Sequence, residues 1–271
     1  MATTQDTRTD GNGGFASLNG VDLYYEVRGT GEPVVVIPGG LMTAAMMGPL
    51  VSPLAHARMV ITLEPRGHGR SSDVDRPLSY EQLADDTAAL IAHLGLARAD
   101  VVGFSLGGEI ALQTAIRHPA AVRRLVVISG RFRSSGEYPE IRALEQAFAP
   151  DMPMLAQLRN AYVATAAPAG WVSLVGKMRQ LLAEEFDWSA QVAAITAPTL
   201  VVLGDADTLP VAHAAELLAL LGGESAAAAM GKPSRARLAV LPGTTHFGIV
   251  QHDDLPGIVS GFLDATMPGA V

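Results

Sequence analysis

From residue 33 onward, short uninterrupted runs of Val, Ile and Leu alternate with stretches whose apolar positions recur every three to four residues. The runs fall at 34–37, 59–63, 101–104, 125–129, 200–203 and 238–241. β-branched runs of four to six residues fit strands buried on both faces, as in a parallel sheet. The clearest helical pattern covers 80–94, with its inward positions at Tyr80, Leu83, Ala84, Thr87, Leu90, Ile91 and Leu94. Ser79 followed three residues later by Gln82 forms a capping box that starts it. Alternation of this kind predicts an α/β, doubly wound sheet.

Three regions depart from that rhythm. Residues 1–14 are polar and glycine-rich and read as a disordered tail. Residues 15–28 hold two short alternating runs around Asn19-Gly20, the strongest two-residue hairpin signal because a type I′ turn needs positive φ. Between 131 and 189 there is no buried-strand run; helical patterns at 140–148 and 171–186, several prolines and both tryptophans stand there instead. This stretch is expected to be a helical insert over the C-terminal edge of the sheet, leaving 15–130 and 190–271 as the core. Residues 222–233 read as a loose surface connection, and no solenoid-length repeat is evident.

Composition narrows the function. An apolar fraction of 49% with 17% charged residues excludes a disordered chain. A net charge of −8 speaks against a general nucleic-acid binder, which needs a phosphate-neutralising surface. The 271 residues contain no cysteine, which removes disulfides, thiolate metal sites and a cysteine nucleophile. The first residues carry no apolar leader, and no run approaches the ~20 apolar residues of a membrane span. The expectation is a cytoplasmic protein with no membrane and no nucleic-acid partner.

The chemistry starts at Gly103-Phe104-Ser105-Leu106-Gly107, a G-x-S-x-G pattern. It follows a buried run and opens a helical stretch that Pro119 ends, which is the strand–turn–helix setting of a nucleophile elbow. A serine hydroxyl needs a base. Of seven histidines, His246 follows the last strand run, at the same end of the sheet as Ser105; His252, near the next helix, is the weaker candidate. The orienting carboxylate is sought after the penultimate run, where Asp207 is favoured over Asp205, which can simply shape its turn. A calcium loop starting at Asp205 is rejected, since Pro210 stands where its glycine belongs. The order Ser105, Asp207, His246 is nucleophile, acid, base. Oxyanion donors are expected from the backbone N–H of Leu106 and of Gly40, with Leu41 as the alternative to Gly40.

With these residues in place, the chain from about 15 to 263 resembles the α/β-hydrolase superfamily. The likeness rests on residues 103–107, on Gly204-Asp205-Ala206-Asp207, on Pro242-Gly243-Thr244-Thr245-His246-Phe247, and on the loop from Glu64 to Ser71. Two positions depart from the family pattern: Pro38-Gly39 where His-Gly is frequent, and Glu64 where Asp is usual. The resemblance implies an α/β-hydrolase fold with a mostly parallel eight-stranded sheet, helices on both faces and a helical cap after the sixth strand. It also implies hydrolysis of a carboxylic ester or related acyl compound, with no metal or organic cofactor.

The substrate is expected to be small and largely apolar, with a pocket lined by Phe132, Tyr138, Phe148, Met152, Met154, Tyr162, Trp171 and Met178. Arg131 and Arg133 are read as a solvated pair rather than as a carboxylate-binding one. Lactone hydrolysis, C–C bond hydrolysis of diketones and cofactor-free perhydrolysis could use the same triad, and a non-catalytic small-ligand receptor could use the same fold. A nicotinamide dehydrogenase is disfavoured, because residues 39–44 lack the G-x-G-x-x-G fingerprint.

Overall fold

Asn19 and Gly20 both take positive φ, 50° and 79°, and turn the chain back on itself as their sequence demands. In the computed structural model, which describes residues 13–232 and 234–266, they join β1 (Gly13–Leu18) to β2 (Val21–Arg28) in antiparallel register. The tail read at 1–14 lies outside the described residues as far as residue 12. Gly13 and Gly14 are corrected to strand, since they pair with Glu26 and Tyr25.

The six apolar runs are strands β3 (Glu32–Ile37), β4 (Arg58–Leu63), β5 (Ala99–Phe104), β6 (Val122–Ile128), β7 (Thr199–Ala206) and β8 (Ala236–Thr245). One sheet takes all eight in the order β1-β2-β4-β3-β5-β6-β7-β8. Pairing is antiparallel around β2 and parallel from β4 through β8.

The reason for uninterrupted apolar runs is visible in β3. Val34 and Val36 belong to one buried cluster with Leu50 and Leu54 of α1 (Gly48–Leu54) and Val259 and Phe262 of α10 (Leu255–Asp264). Val35 and Ile37 belong to the opposite cluster, with Leu83 and Leu90 of α2 (Tyr80–His93) and Ile110 and Leu112 of α3 (Leu106–Arg117). Both faces of the central strands are covered, and each fully buried Val, Leu or Ile contributes about 1.5–3 kcal/mol relative to exposure. Only the serine half of the capping box forms: Ser79 Oγ accepts from the Gln82 N–H at 3.2 Å, while Gln82 Oε1 has no hydrogen-bond partner among the described residues.

Between β6 and β7 the chain runs through α4 (Pro139–Gln146), α5 (Ala156–Val163), α6 (Pro168–Leu182) and α7 (Ser189–Ala193). The sequence pattern predicts two of these, α4 and α6; it misses α5, whose apolar periodicity is weak, and α7, which is only five residues long. After β7 come α8 (Val211–Leu220) and the one-turn α9 (Ala226–Ala229), capped by Ser225 Oγ accepting from the Ala228 N–H. One exposed turn of helix thus stands within the surface connection read at 222–233, as far as the described residues go. No helix among them is long and apolar enough to cross a membrane. The C-terminal ends of β3, β5, β6, β7 and β8 all open on one edge, where a parallel sheet gathers its site.

Candidate active site

β5 carries the chain into Ser105 at φ 54°, ψ −122°, a backbone state that a residue with a side chain holds only when its surroundings enforce it. The flanking glycines are what allow it. A Cβ at Gly103 would overlap the Gly107 carbonyl, and one at Gly107 would overlap the carbonyls of Ile37 and Pro38. The Ser105 N–H donates to Ile128 O at 2.8 Å, and Ser105 O accepts from the N–H groups of Gly108 and Glu109 at 2.7 and 3.2 Å. The hydroxyl therefore stands at the N-terminus of α3, the positive end of the helix dipole.

His246 is the first residue after β8. Its Nε2 lies 3.1 Å from Ser105 Oγ and its Nδ1 2.7 Å from Asp207 Oδ1. The ring is flanked by Phe104 at 5.1 Å and Phe247 at 5.4 Å between centroids. Asp207 is fully buried along its side chain. Burial alone would raise its carboxyl. The hydrogen bond and charge of His246, with donors from Ser129 and the Gly204 N–H, overcome that and hold it below the ordinary carboxylate range. A carboxylate at Nδ1 leaves Nε2 free to accept a proton from the serine. The three residues singled out in the sequence thus meet in space.

The competing candidates are engaged elsewhere. Asp205 Oδ1 accepts from the Thr244 N–H at 3.2 Å and ties β7 to β8. His252 Nδ1 accepts from the Asp254 N–H at 3.2 Å. His118 Nε2 pairs with Asp85 at 2.7 Å, His68 is fully buried beside Arg66, and His213 stacks on Phe132.

Gly40, Leu41 and Leu106 line the same cavity as Ser105. A turn closed by the Met42 N–H donating to Gly39 O places Leu41 at φ 65°. Among the described residues no acceptor engages the N–H of Gly40 or of Leu106. Both are therefore available to an oxyanion, and the proline at 38 does not remove either donor.

Of two supporting residues, Ser129 escaped the sequence reading and Glu64 was noted there only as a departure from the family pattern. Ser129, taken there only as the end of an apolar run, donates from Oγ to Asp207 Oδ2 at 2.6 Å. A lone hydroxyl at the end of the strand beside the acid's own strand was the available signal. Glu64, buried completely, accepts from the N–H groups of Ala44 at 2.9 Å and Arg70 at 2.6 Å. It therefore ties the loop after β4 to the segment that follows Gly40 and Leu41. Burial raises its carboxyl above the usual range despite those donors.

The cavity encloses about 870 Å³, part of it open to solvent. Of the lining expected from the sequence, Phe148, Met154 and Met178 are there; Phe132, Tyr138, Met152, Tyr162 and Trp171 are not. Phe132 is consumed by its stack on His213, 4.3 Å between centroids. Trp171 turns inward among the helices, with Nε1 donating to Pro150 O at 2.8 Å and its ring beside Tyr162. Tyr138 projects outward. The reading of Arg131 as a solvated residue is also corrected: it is 4% exposed and lines the cavity. Arg133 lies nearer the surface and pairs with Glu216.

Comparison with known proteins agrees with this architecture. Residues 32–183, more than half of the chain, match the family model for the alpha/beta hydrolase fold. RutD of Azorhizobium caulinodans, named provisionally as a carbamate hydrolase, is 33% identical over 122 residues, 45% of this chain and 46% of that protein. The uncharacterized hydrolase YraK of Bacillus subtilis is 32% identical over 117 residues, 42% of this chain and 43% of that one. The chain thus spans less than half the length of these curated relatives. Among solved structures, a hydrolase from Pseudomonas aeruginosa PA01 superposes with a TM-score of 0.73 at 25% identity, covering 95% of this chain and 100% of that one. The enol-lactonase of Burkholderia xenovorans LB400 superposes with a TM-score of 0.74 at 24% identity, covering 93% and 100%. The chain belongs to the α/β-hydrolase family.

Proposed function

We propose that this hydrolase cleaves small carboxylic esters through an acyl-enzyme on Ser105. The observation that carries the reading is the relay of two contacts, 3.1 Å from Ser105 Oγ to His246 Nε2 and 2.7 Å from His246 Nδ1 to Asp207. Ser105 Oγ attacks the acyl carbon while His246 takes its proton. The N–H groups of Leu106 and Gly40 hold the oxyanion. The imidazolium then protonates the leaving alkoxide, and water activated by the same ring releases the acid. Asp207 keeps the imidazole in the required tautomer and offsets its positive charge. The helical stretch between β6 and β7 acts as a cap, supplying cavity walls through residues such as Ile141, Leu144, Leu158 and Met178.

Ring-opening of a lactone follows the same steps with the alkoxide still tethered, and the likeness to an enol-lactonase keeps that reaction in view. The test is a panel of p-nitrophenyl esters, lactones and carbamates, with a fluorophosphonate label and Ser105→Ala alongside. The variant should lose the label and about 10⁴–10⁶-fold in kcat on the best substrate. Near-normal turnover by Ser105→Ala would end the assignment, and wild-type protein that neither labels nor turns over would instead favour a ligand receptor.

A further inference from the structure

The Arg131 guanidinium in the cavity wall is taken up by its neighbours: it donates to Glu109 Oε1 at 2.5 Å and to Glu137, and its Nη1 lies 3.6 Å from Glu145 Oε2. One polar residue of the wall belongs neither to that cluster nor to the relay from Ser105 to Asp207. It is Thr208, which follows the acid directly and lines the cavity together with Ser105 and His246.

The backbone of Thr208 is held on both sides. Its N–H donates to Asp207 Oδ1 at 2.7 Å, and its carbonyl accepts at 3.3 Å from the N–H of Tyr138, the residue that precedes α4. A β-branched side chain on such a backbone has few rotamers to choose from. Its Oγ1 stands 3.2 Å from Asp207 Oδ1 and 3.1 Å from His246 Nδ1. With the 2.7 Å contact between Nδ1 and Oδ1, the three atoms form a nearly equilateral triangle.

A carboxylate offers about four lone-pair sites, two on each oxygen. On Asp207, Oδ2 accepts from Ser129 Oγ at 2.6 Å and from the Gly204 N–H at 3.4 Å. Oδ1 accepts at 2.7 Å from His246 Nδ1 and at 2.7 Å from the Thr208 N–H. The Thr208 hydroxyl is a third and longer donor to Oδ1, so the carboxylate is satisfied without it. The hydroxyl hydrogen is then free to rotate off Asp207 and to leave a lone pair facing Nδ1.

The proposed reaction gives that lone pair a use. His246 takes a proton from Ser105 Oγ and delivers one to the leaving alkoxide, two oxygens that cannot occupy one place. A ring that tilts from the first toward the second bends its bond to Asp207. A proton on Nδ1 that lost its acceptor would no longer be held there, and Nε2 works as a base only while Nδ1 carries the proton.

We infer that Thr208 is a positioning residue whose hydroxyl oxygen is a second acceptor for the Nδ1 proton of His246, keeping the ring in its working tautomer when it tilts away from Asp207. The consequence for turnover rests on the reading of Ser105 as the nucleophile; the tautomer itself does not.

The test therefore reads both. Heteronuclear NMR of protein labelled at histidine nitrogen, with His246 assigned by comparison with His246→Gln, reports the tautomer at a pH where the ring is neutral. Hydrolysis of p-nitrophenyl acetate reports the rate. In Asp207→Ala, Thr208 remains as acceptor, and His246 should stay mainly in the Nδ1–H form. Adding Thr208→Val, which keeps the branched shape without the hydroxyl, should shift the ring to the Nε2–H form that an unpartnered histidine favours. It should also lower kcat by about tenfold more, against about threefold for Thr208→Val alone, so that the two losses do not add. Thr208→Ser should restore tautomer and rate in both backgrounds. Equal tautomer populations in Asp207→Ala and the double variant, or the same fold-loss with and without Asp207, would overturn the role. Tautomer control by Thr208 without ester turnover would uphold it and remove the ester reading; turnover with no tautomer control would do the reverse. If Asp207→Ala fails to fold, the wild-type background decides: kcat should fall about threefold in Thr208→Val and recover in Thr208→Ser, and an unchanged kcat in Thr208→Val would end the inference.

Discussion

Two of the helices that border the cavity are held in opposite ways. α3, which follows the proposed nucleophile Ser105, buries ten of its twelve residues. α4, which contributes Ile141, Leu144 and Glu145 to the wall, buries none of its eight. The first is fixed by close backbone approach and by packing against the sheet. The second depends heavily on charge, through Glu145 facing Arg131 and Arg142 pairing with Glu185 at 2.5 Å. In the proposed mechanism this is a division of labour: the proposed nucleophile stands on a segment with almost no freedom, whereas the α4 wall of the cavity is held by ionisation and partial burial. The contrast can be broken at four places.

The largest effect is expected at Gly103. Replacement by alanine drives a methyl into the Gly107 carbonyl, which neither strand β5 nor helix α3 can yield without unpacking. Gly103→Ala should cost more than about 4 kcal/mol, seen as loss of folded protein or a collapsed melting temperature. A variant that folds with its Tm unchanged would show the elbow to be far less constrained than its geometry states.

Ser129→Ala probes the same rigid side more gently. Without the hydroxyl, Asp207 Oδ2 keeps only the Gly204 N–H at 3.4 Å. Hydrogen bonds to a charged group are worth about 1.5–3 kcal/mol, so kcat should fall by about tenfold to a hundredfold with KM little changed. An unaltered kcat would mean that His246 and the N–H groups of Gly204 and Thr208 orient the acid without Ser129.

The same contrast explains what could be read from the sequence. Ser105, Asp207 and His246 were legible because each follows an apolar run long enough to be a buried strand, and because parallel strands deliver their ends to one edge. Gly103 and Gly107 were legible because close backbone approach leaves only one residue type. The cavity wall was not. Phe132 and Trp171 have the composition of pocket residues, yet His213 and Tyr162 claim their faces, and nothing in helical spacing tells a side chain facing a cavity from one facing a neighbouring helix. Arg131 was misread for a related reason. Its three carboxyl partners come from α3, from the loop ending at Tyr138 and from α4, so its burial exists only once the helices between β6 and β7 close over the sheet.

On the α4 side, pH is the lever. Glu145 retains its proton in the fold up to about 8, whereas its ordinary value is 4.5. The folded state therefore binds more protons than the unfolded chain between these values, and stability falls as pH rises from 4.5 through 8 before levelling. Glu145→Gln cannot lose that proton. Its Tm relative to wild type should rise with pH and be greatest above 8, each ~1 kcal/mol appearing as about 2–4 °C. A difference that stays constant across the range would place Glu145 outside the coupled cluster.

The smallest effect has the opposite sign. Gly176 lies inside α6, and a Cβ added there meets nothing within 4 Å. Its φ is helical rather than left-handed, so alanine fits the existing backbone. Gly176→Ala should stabilise the protein by about 0.5–1 kcal/mol, because glycine loses more conformational freedom on folding than alanine does. The same exchange at Gly103 and at Gly176 would then differ in sign as well as size, separating a glycine required by backbone contact from one that a helix merely tolerates. If Gly176→Ala instead lowers Tm, α6 is confined by contacts of its own, and the looseness ascribed to this side of the cavity belongs to α4 alone.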